Sequence, residues 1–174
     1  MADTTICIMD GDDLIELSFQ DVEKYHGQHS IGGAALGYQV LRAAFASLFP
    51  TSVPRREEIS IVSGHPGGGF RDAFEMVTRA LTRKVYHVDT SRPDGRYNSL
   101  AAHAYSWRVS TADGRGVEIV LRPGLIPPRF FELWSLVGNG SATPADWHEL
   151  VRVKRGLADA VLAMPLDELF TVTG

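Results

Sequence analysis

The sequence contains one cysteine, Cys7, among its 174 residues. A single cysteine cannot form a disulfide within the chain, and it excludes Cys₄ zinc and iron–sulfur sites built by one chain. Any bound metal ion would therefore depend on histidine and carboxylate ligands. Cys7 stands between Ile6 and Ile8, which favours a small buried residue over a reactive thiol.

Excess positive charge and long apolar runs are also missing. The chain has 17 Lys and Arg against 21 Asp and Glu, a formal net charge of −4, so we expect no nucleic-acid binding. No stretch approaches the roughly 18 apolar residues that span a bilayer, and no basic segment precedes the short apolar run at the N-terminus. We therefore expect a cytoplasmic protein with no membrane partner, folded as a single domain over residues 1–174.

The hydrophobic pattern mixes helices and strands without regular alternation, which predicts an α+β fold with a mixed β-sheet packed by helices. We expect helices over about 33–49, 70–81 and 129–136, and strands over about 58–62, 85–88, 103–109, 117–121 and 169–172. Residues 14–25 allow a short helix with Leu17, Val22 and Tyr25 on one side.

The last long helix has the clearest start signal. Thr143 is expected as its N-cap, Pro144 stands at the first helical position and Asp146 completes a capping-box pattern. Trp147, Leu150, Leu157 and Val161 are predicted to form its buried stripe, and Gly156 allows a bend.

Two histidines, His26 and His29, form the first candidate site. They are three residues apart, with glycines on either side, so they could meet one metal ion if the backbone turns there. The alternative is structural, with His26 hydrogen-bonded at a helix–loop junction and His29 exposed. Spacing alone favours this alternative, because two histidines without a further ligand are a weak signal.

The second candidate is His65 with the glycines Gly67, Gly68 and Gly69 and the following Asp72. A glycine-rich turn before a helix presents free N–H groups and a positive dipole end, which suits an anion. The sequence is not a nucleotide P-loop, because no Lys-Ser/Thr pair follows. A tight strand-to-helix connection with His65 at the surface is the other interpretation. Ser30 or Ser63 could join a Ser/His/Asp set, but no G-x-S-x-G motif supports a hydrolase.

The order of motifs resembles the FmdE-like family of formylmethanofuran dehydrogenase proteins, over about residues 17–172. The resemblance is carried by Tyr25-His26-Gly27 with Gly32, Gly37 and Tyr38, by Asp72-Ala73-Phe74-Glu75 with Thr78, and by Pro165-Leu166-Asp167-Glu168-Leu169-Phe170. It implies an α+β domain, a homodimer, and an association with a molybdenum enzyme of one-carbon metabolism. The positions where family members commonly carry cysteine hold Ser30 and Gly69 here.

Three hypotheses follow, and the sequence leaves them open. The first is a metal-binding accessory domain in which His26, His29, His65 and Asp72 hold an ion, with zinc favoured by availability. The second is a module without metal that binds a small anion at Gly67, Gly68, Gly69 and Ser30. The third is an enzyme, resembling a hydrolase, in which His65 or His26 acts as general base; the sequence assigns no catalytic residue.

Overall fold

The computed structural model of the protein describes residues 5–96 and 103–174. It confirms the α+β class, with helices packed on a mixed sheet. In chain order the elements are β1 (Ile6–Asp10), β2 (Asp13–Leu17), α1 (Phe19–His26), α2 (Ile31–Leu48), a 3₁₀ turn (Arg56–Glu58), β3 (Ser60–Ser63), α3 (Gly68–Thr78), β4 (Tyr86–Val88), β5 (Ser106–Ser110), β6 (Gly116–Leu121), α4 (Pro128–Gly138), α5 (Pro144–Ala163), α6 (Leu166–Leu169) and β7 (Phe170–Thr173).

The main sheet has five strands in the order β4-β3-β5-β6-β7. Strands β3 and β4 run parallel, and the other pairs are antiparallel. The predicted hairpin is β5–β6, in which Trp107 lies opposite Ile119 and both side chains are fully buried. Its turn includes Gly114 at φ +91°, a backbone conformation that glycine adopts without strain.

Helix α2 is the centre of the fold. It is buried on nearly every side, and it packs against α3, α5 and strand β6. Glycine and alanine fill much of its surface, so neighbouring backbones approach closely. The Tyr38 hydroxyl donates a hydrogen bond of 2.8 Å to the Leu17 carbonyl, which ties α2 to β2. The predicted buried helix is thereby confirmed.

The expectation that Leu17, Val22 and Tyr25 lie on one side of a short helix within residues 14–25 was wrong. Leu17 ends strand β2, Tyr25 is exposed, and Val22 is the one of the three that α1 buries. The reason is the turn at Gly11, whose φ of +61° lets β1 and β2 pair as an antiparallel hairpin. Pairing with β1 outweighs the weak helical spacing of this segment.

Helix α5 begins as predicted. The Thr143 hydroxyl accepts a hydrogen bond from the Asp146 amide, and the Asp146 carboxylate accepts one from the Thr143 amide. The helix continues through Gly156 without a break. Leu150, Leu157 and Val161 are buried, as predicted. Trp147 is 42% exposed, so the prediction that it belongs to the buried stripe was wrong. At 3.6 residues per turn Trp147 lies roughly 60° around the helix from Leu150, at the edge of the buried face.

Within the two described ranges, no helix combines the length and the apolarity that crossing a bilayer requires.

Candidate functional site

Two glycine-rich helix starts meet at the site. Gly69, in the first turn of α3, lies directly against the first turn of α2, where a Cβ on Gly69 would stand 2.5 Å from the Ser30 carbonyl oxygen and 2.6 Å from the Ala34 nitrogen. Gly37 repeats the close approach one turn further along α2, with Ala73 as its neighbour. The two helix N-termini therefore lie side by side, with their backbones in close contact.

The predicted loop is shorter than expected, because α3 begins at Gly68 rather than at Phe70. Gly68 and Gly69 thus belong to the first helical turn, and Gly67 is the N-cap. The free N–H groups of that turn point out of the helix start, which is the arrangement that favours negative charge.

A cavity of about 190 Å³ opens beside these helix starts. Its walls are mostly apolar and come from α2, α3, α4, α5 and the segment between β6 and α4; they include Leu36, Phe70, Ile126, Phe131, Trp134 and Leu157. The polar side chains that line it are those of Ser30, His65, His103, Tyr105 and Lys154. No aspartate or glutamate is among its described lining residues.

His65 presents a fixed tautomer to this cavity. Its Nδ1 accepts a hydrogen bond of 2.9 Å from the Gly67 amide, so the proton of the neutral ring is on Nε2. The ring packs against Phe70, Tyr105 and His103, with centroids 4.9, 4.8 and 5.4 Å away. Burial, with a smaller contribution from His103, lowers the pKa of His65 to about 4. At neutral pH the side chain is therefore an uncharged N–H donor.

Lys154, on the inner face of α5, is the cation of the cavity. It is 6% exposed, and burial lowers the pKa of its ammonium group. Its Nζ donates a hydrogen bond of 2.9 Å to the His29 carbonyl and lies 4.8 Å from the centre of the Trp134 ring. Among residues 5–96 and 103–174, no carboxylate pairs with it.

His26, at the end of α1, forms hydrogen bonds to α3 and to the turn that leads into α2. Its Nδ1–H donates to the Asp72 carboxylate at 2.8 Å, and its Nε2 accepts from the Ser30 amide at 3.1 Å. Burial raises the pKa of Asp72, but hydrogen bonds from His26 and Arg71 outweigh it, so the net pKa of Asp72 is lowered. The His26 side chain is 6% exposed, and both of its nitrogens are occupied.

The four predicted metal ligands do not converge on one point. His26 and Asp72 contact each other, His65 lies on the cavity, and the His29 side chain is exposed. The described residues contain no group of three or more His, Cys, Asp or Glu side chains placed to hold a metal ion. In this geometry the side chains do not fit a shared ion, and zinc binding stays a prediction.

Three of the four predicted anion-site residues line the cavity: Ser30, Gly67 and Gly69. Gly68 lies in the same turn but is not part of the lining.

The sequence did not lead us to predict that Lys154 and His103 line the cavity. A signal for Lys154 was present, because it is four residues after Leu150 and three before Leu157, on the buried stripe of α5. His103 was expected on a strand face, but it precedes β5 and its Nδ1 is buried without a hydrogen-bond partner among the described residues.

The fold and site define a class: an α+β domain in which two glycine-rich helix starts and a buried lysine enclose a small, mostly apolar cavity. The FmdE family, described by its place in the molybdenum formylmethanofuran dehydrogenase operon, matches residues 25–171. The chain therefore belongs to the FmdE family, as its motifs suggested. No curated protein matches the chain.

Proposed function

We propose that this FmdE-family domain binds a small anionic molecule in the cavity, with Lys154 as the cationic partner. The observation that carries the proposal is the buried charge of Lys154, with which no carboxylate of the described residues pairs. Burying a charge without an opposite partner is costly, and proteins normally pair such groups. The ammonium group has three N–H donors, and one hydrogen bond to the His29 carbonyl leaves two for a ligand.

The helix starts support the same function. The N-termini of α2, with 18 residues, and α3, with 11 residues, both border the cavity. Exposed amides and the macrodipole at a helix N-terminus stabilise a nearby negative charge. Gly32, Gly33 and Gly69 line the cavity, so backbone rather than side chain forms its wall at both helix starts.

Neighbouring carboxylates do not compete for Lys154. Asp72 is engaged by His26 and Arg71, and Glu23 is engaged by Arg155 and Gln28. Neither carboxylate lines the cavity. The potential inside the cavity is therefore set by the lysine and by the helix ends.

Isothermal titration calorimetry of the purified protein with acetate, benzoate and inorganic phosphate tests the proposal. We expect at least one of these anions to bind, and Lys154→Met to weaken that binding at least tenfold. Lys24→Met is the matched control, because the Lys24 side chain is 76% exposed on α1, and it should leave binding unchanged. Lys154→Gln provides a second variant if Lys154→Met does not fold. Equal affinity in wild type and Lys154 variants, or binding of none of the three anions, would contradict the proposal.

The finer expectations drawn from the sequence and from the family resemblance are proposals as well. A homodimer is tested by sedimentation equilibrium, zinc by metal analysis of protein purified without chelator, and a cytoplasmic location by cell fractionation. Association with a molybdenum enzyme of one-carbon metabolism is supported by the family's operon description and is tested by co-purification with that enzyme.

A further inference from the structure

We infer that the bound anion is a monocarboxylate with a branched or aromatic apolar body; this rests on the proposed function and names its ligand class. Among the described residues that line the cavity, Lys154 is the cationic group and most of the others are apolar. A ligand that fits it needs one charge at one end and an apolar surface over the rest.

The apolar walls of the cavity determine that most of the ligand is apolar. Leu36, Phe70, Ile126, Phe131 and Leu157 present aliphatic and aromatic surface to the cavity. Apolar lining with a few convergent polar groups is typical of sites for small organic molecules, and burying apolar ligand surface stabilises the complex. A free inorganic anion would leave these walls without a partner.

The charge determines the ligand's headgroup. Lys154 is the one lysine or arginine among the described lining residues. The nearby Arg155 and Arg71 are paired with Glu23 and Asp72 and do not line the cavity. Lys154 supplies the one full positive charge of this lining and the helix ends add only partial charges, so a carboxylate is matched better than a dianionic phosphate.

The position of Lys154 sets the ligand's orientation. Its Nζ lies over the Trp134 ring and donates to the His29 carbonyl, just before the start of α2, so we place the carboxylate at this end, near Gly32 and Gly33. The apolar body then extends toward Ile126 and Phe131. The Nε2–H of His65 offers a hydrogen bond to an oxygen on the ligand.

The volume limits the ligand's size. A cavity of about 190 Å³ is smaller than the roughly 300–1,000 Å³ typical of sites for drug-sized molecules, which favours a small ligand. Benzoate and 4-methylpentanoate are small, and each carries one carboxylate.

The test compares five ligands by calorimetry with the 174-residue protein: benzoate, 4-methylpentanoate, acetate, inorganic phosphate and benzamide. We expect benzoate or 4-methylpentanoate to bind at least tenfold more tightly than acetate, which lacks the apolar body. Benzamide keeps the shape of benzoate without its charge, and it should bind at least tenfold more weakly than benzoate.

A variant pair tests the apolar end. Ile126→Ala should reduce the preference for the larger acid over acetate at least threefold, whereas Ile15→Ala, the same change on β2 outside the cavity, should not. If Ile126→Ala does not fold, the wild-type ligand series alone decides the question.

The outcomes separate this inference from the proposed function. If acetate or inorganic phosphate binds through Lys154 as tightly as the larger acids, the ligand class is wrong and the anion site stands. If benzamide matches benzoate, the carboxylate assignment is wrong. If no anion binds, both proposals fail.

Discussion

Replacing Gly69 with alanine tests whether the contact between the two helix starts requires a glycine. A Cβ at this position would lie 2.5 Å from the Ser30 oxygen, 2.6 Å from the Ala34 nitrogen and 2.8 Å from the Gly33 carbonyl carbon. All three are backbone atoms of the start of α2. A side-chain rotation therefore cannot relieve the overlap, and α2 and α3 must move apart.

The expected cost follows from this geometry. Overpacking a well-packed core typically costs about 1–3 kcal/mol, and three simultaneous backbone contacts place Gly69→Ala at about 3 kcal/mol. For a chain of this size a loss of 1 kcal/mol lowers the melting temperature by about 2–4 °C, so we expect a decrease of roughly 6–12 °C. Thermal unfolding followed by circular dichroism measures it, and urea unfolding gives the free energy directly.

Gly68→Ala is the matched control, because it makes the same change one residue earlier in the same helical turn. A Cβ on Gly68 would meet only the Arg71 guanidinium, at 3.9 Å. We expect this variant to be neutral or slightly stabilising, since alanine is favoured over glycine in helices. If the two variants unfold within about 0.5 kcal/mol of each other, a difference that ordinary surface substitutions reach, the close approach is not what Gly69 provides.

Three further predictions concern stability measured by urea unfolding. Because burial lowers the pKa of His65 to about 4 from its ordinary value near 6.5, stability present above pH 6.5 is lost as pH falls toward 4. Wild type should lose about 2 kcal/mol more than His65→Gln between pH 7 and pH 4.5, and equal losses would refute this. Gly156→Ala should stabilise the protein by about 1 kcal/mol, because nothing lies within 4 Å of the added methyl group; a destabilised variant would show that α5 needs its glycine. Thr143→Ala should cost about 1 kcal/mol by removing the N-cap, and Thr143→Ser should recover most of it; if Ser is no better than Ala, the cap is not the cause.

Local signals in the sequence predicted much of the fold. The cap formed by Thr143 and Asp146 fixed the start of α5, and the small and apolar residues of α2 indicated its burial. The β1–β2 hairpin was missed because its evidence in the sequence is a single turn at Gly11. A further bond of β1, from the Met9 amide to the Pro54 carbonyl, joins distant parts of the chain.

The candidate site could be predicted only in part, for the same reason. The glycines at 67–69 and Ser30 were found because a glycine-rich helix start is a local pattern. Lys154 could be recognised as a site residue only once α5 was placed beside α2, where its ammonium group reaches the His29 carbonyl 125 residues away. For His26 and His29 the sequence left a shared metal ion open but favoured a hydrogen-bonded His26 with His29 exposed. In the structure Asp72 and Ser30 bind both nitrogens of His26, and His29 is exposed.

The buried charge of Lys154, which lacks a carboxylate partner among the described residues, predicts opposite effects of one substitution on stability and on binding. Lys154→Met removes a buried cation and fills the same space with an apolar chain; the comparable replacement of buried ion pairs by apolar residues is often neutral or stabilising by about 1–4 kcal/mol. Loss of the hydrogen bond to the His29 carbonyl offsets about 1 kcal/mol of this gain. We therefore expect the ligand-free variant to unfold at an equal or higher urea concentration than wild type, while its anion binding is lost. A variant destabilised by more than about 2 kcal/mol would show instead that Lys154 serves to hold the 26–30 turn against α5. A residue kept at a cost to stability is expected where a ligand supplies the missing partner.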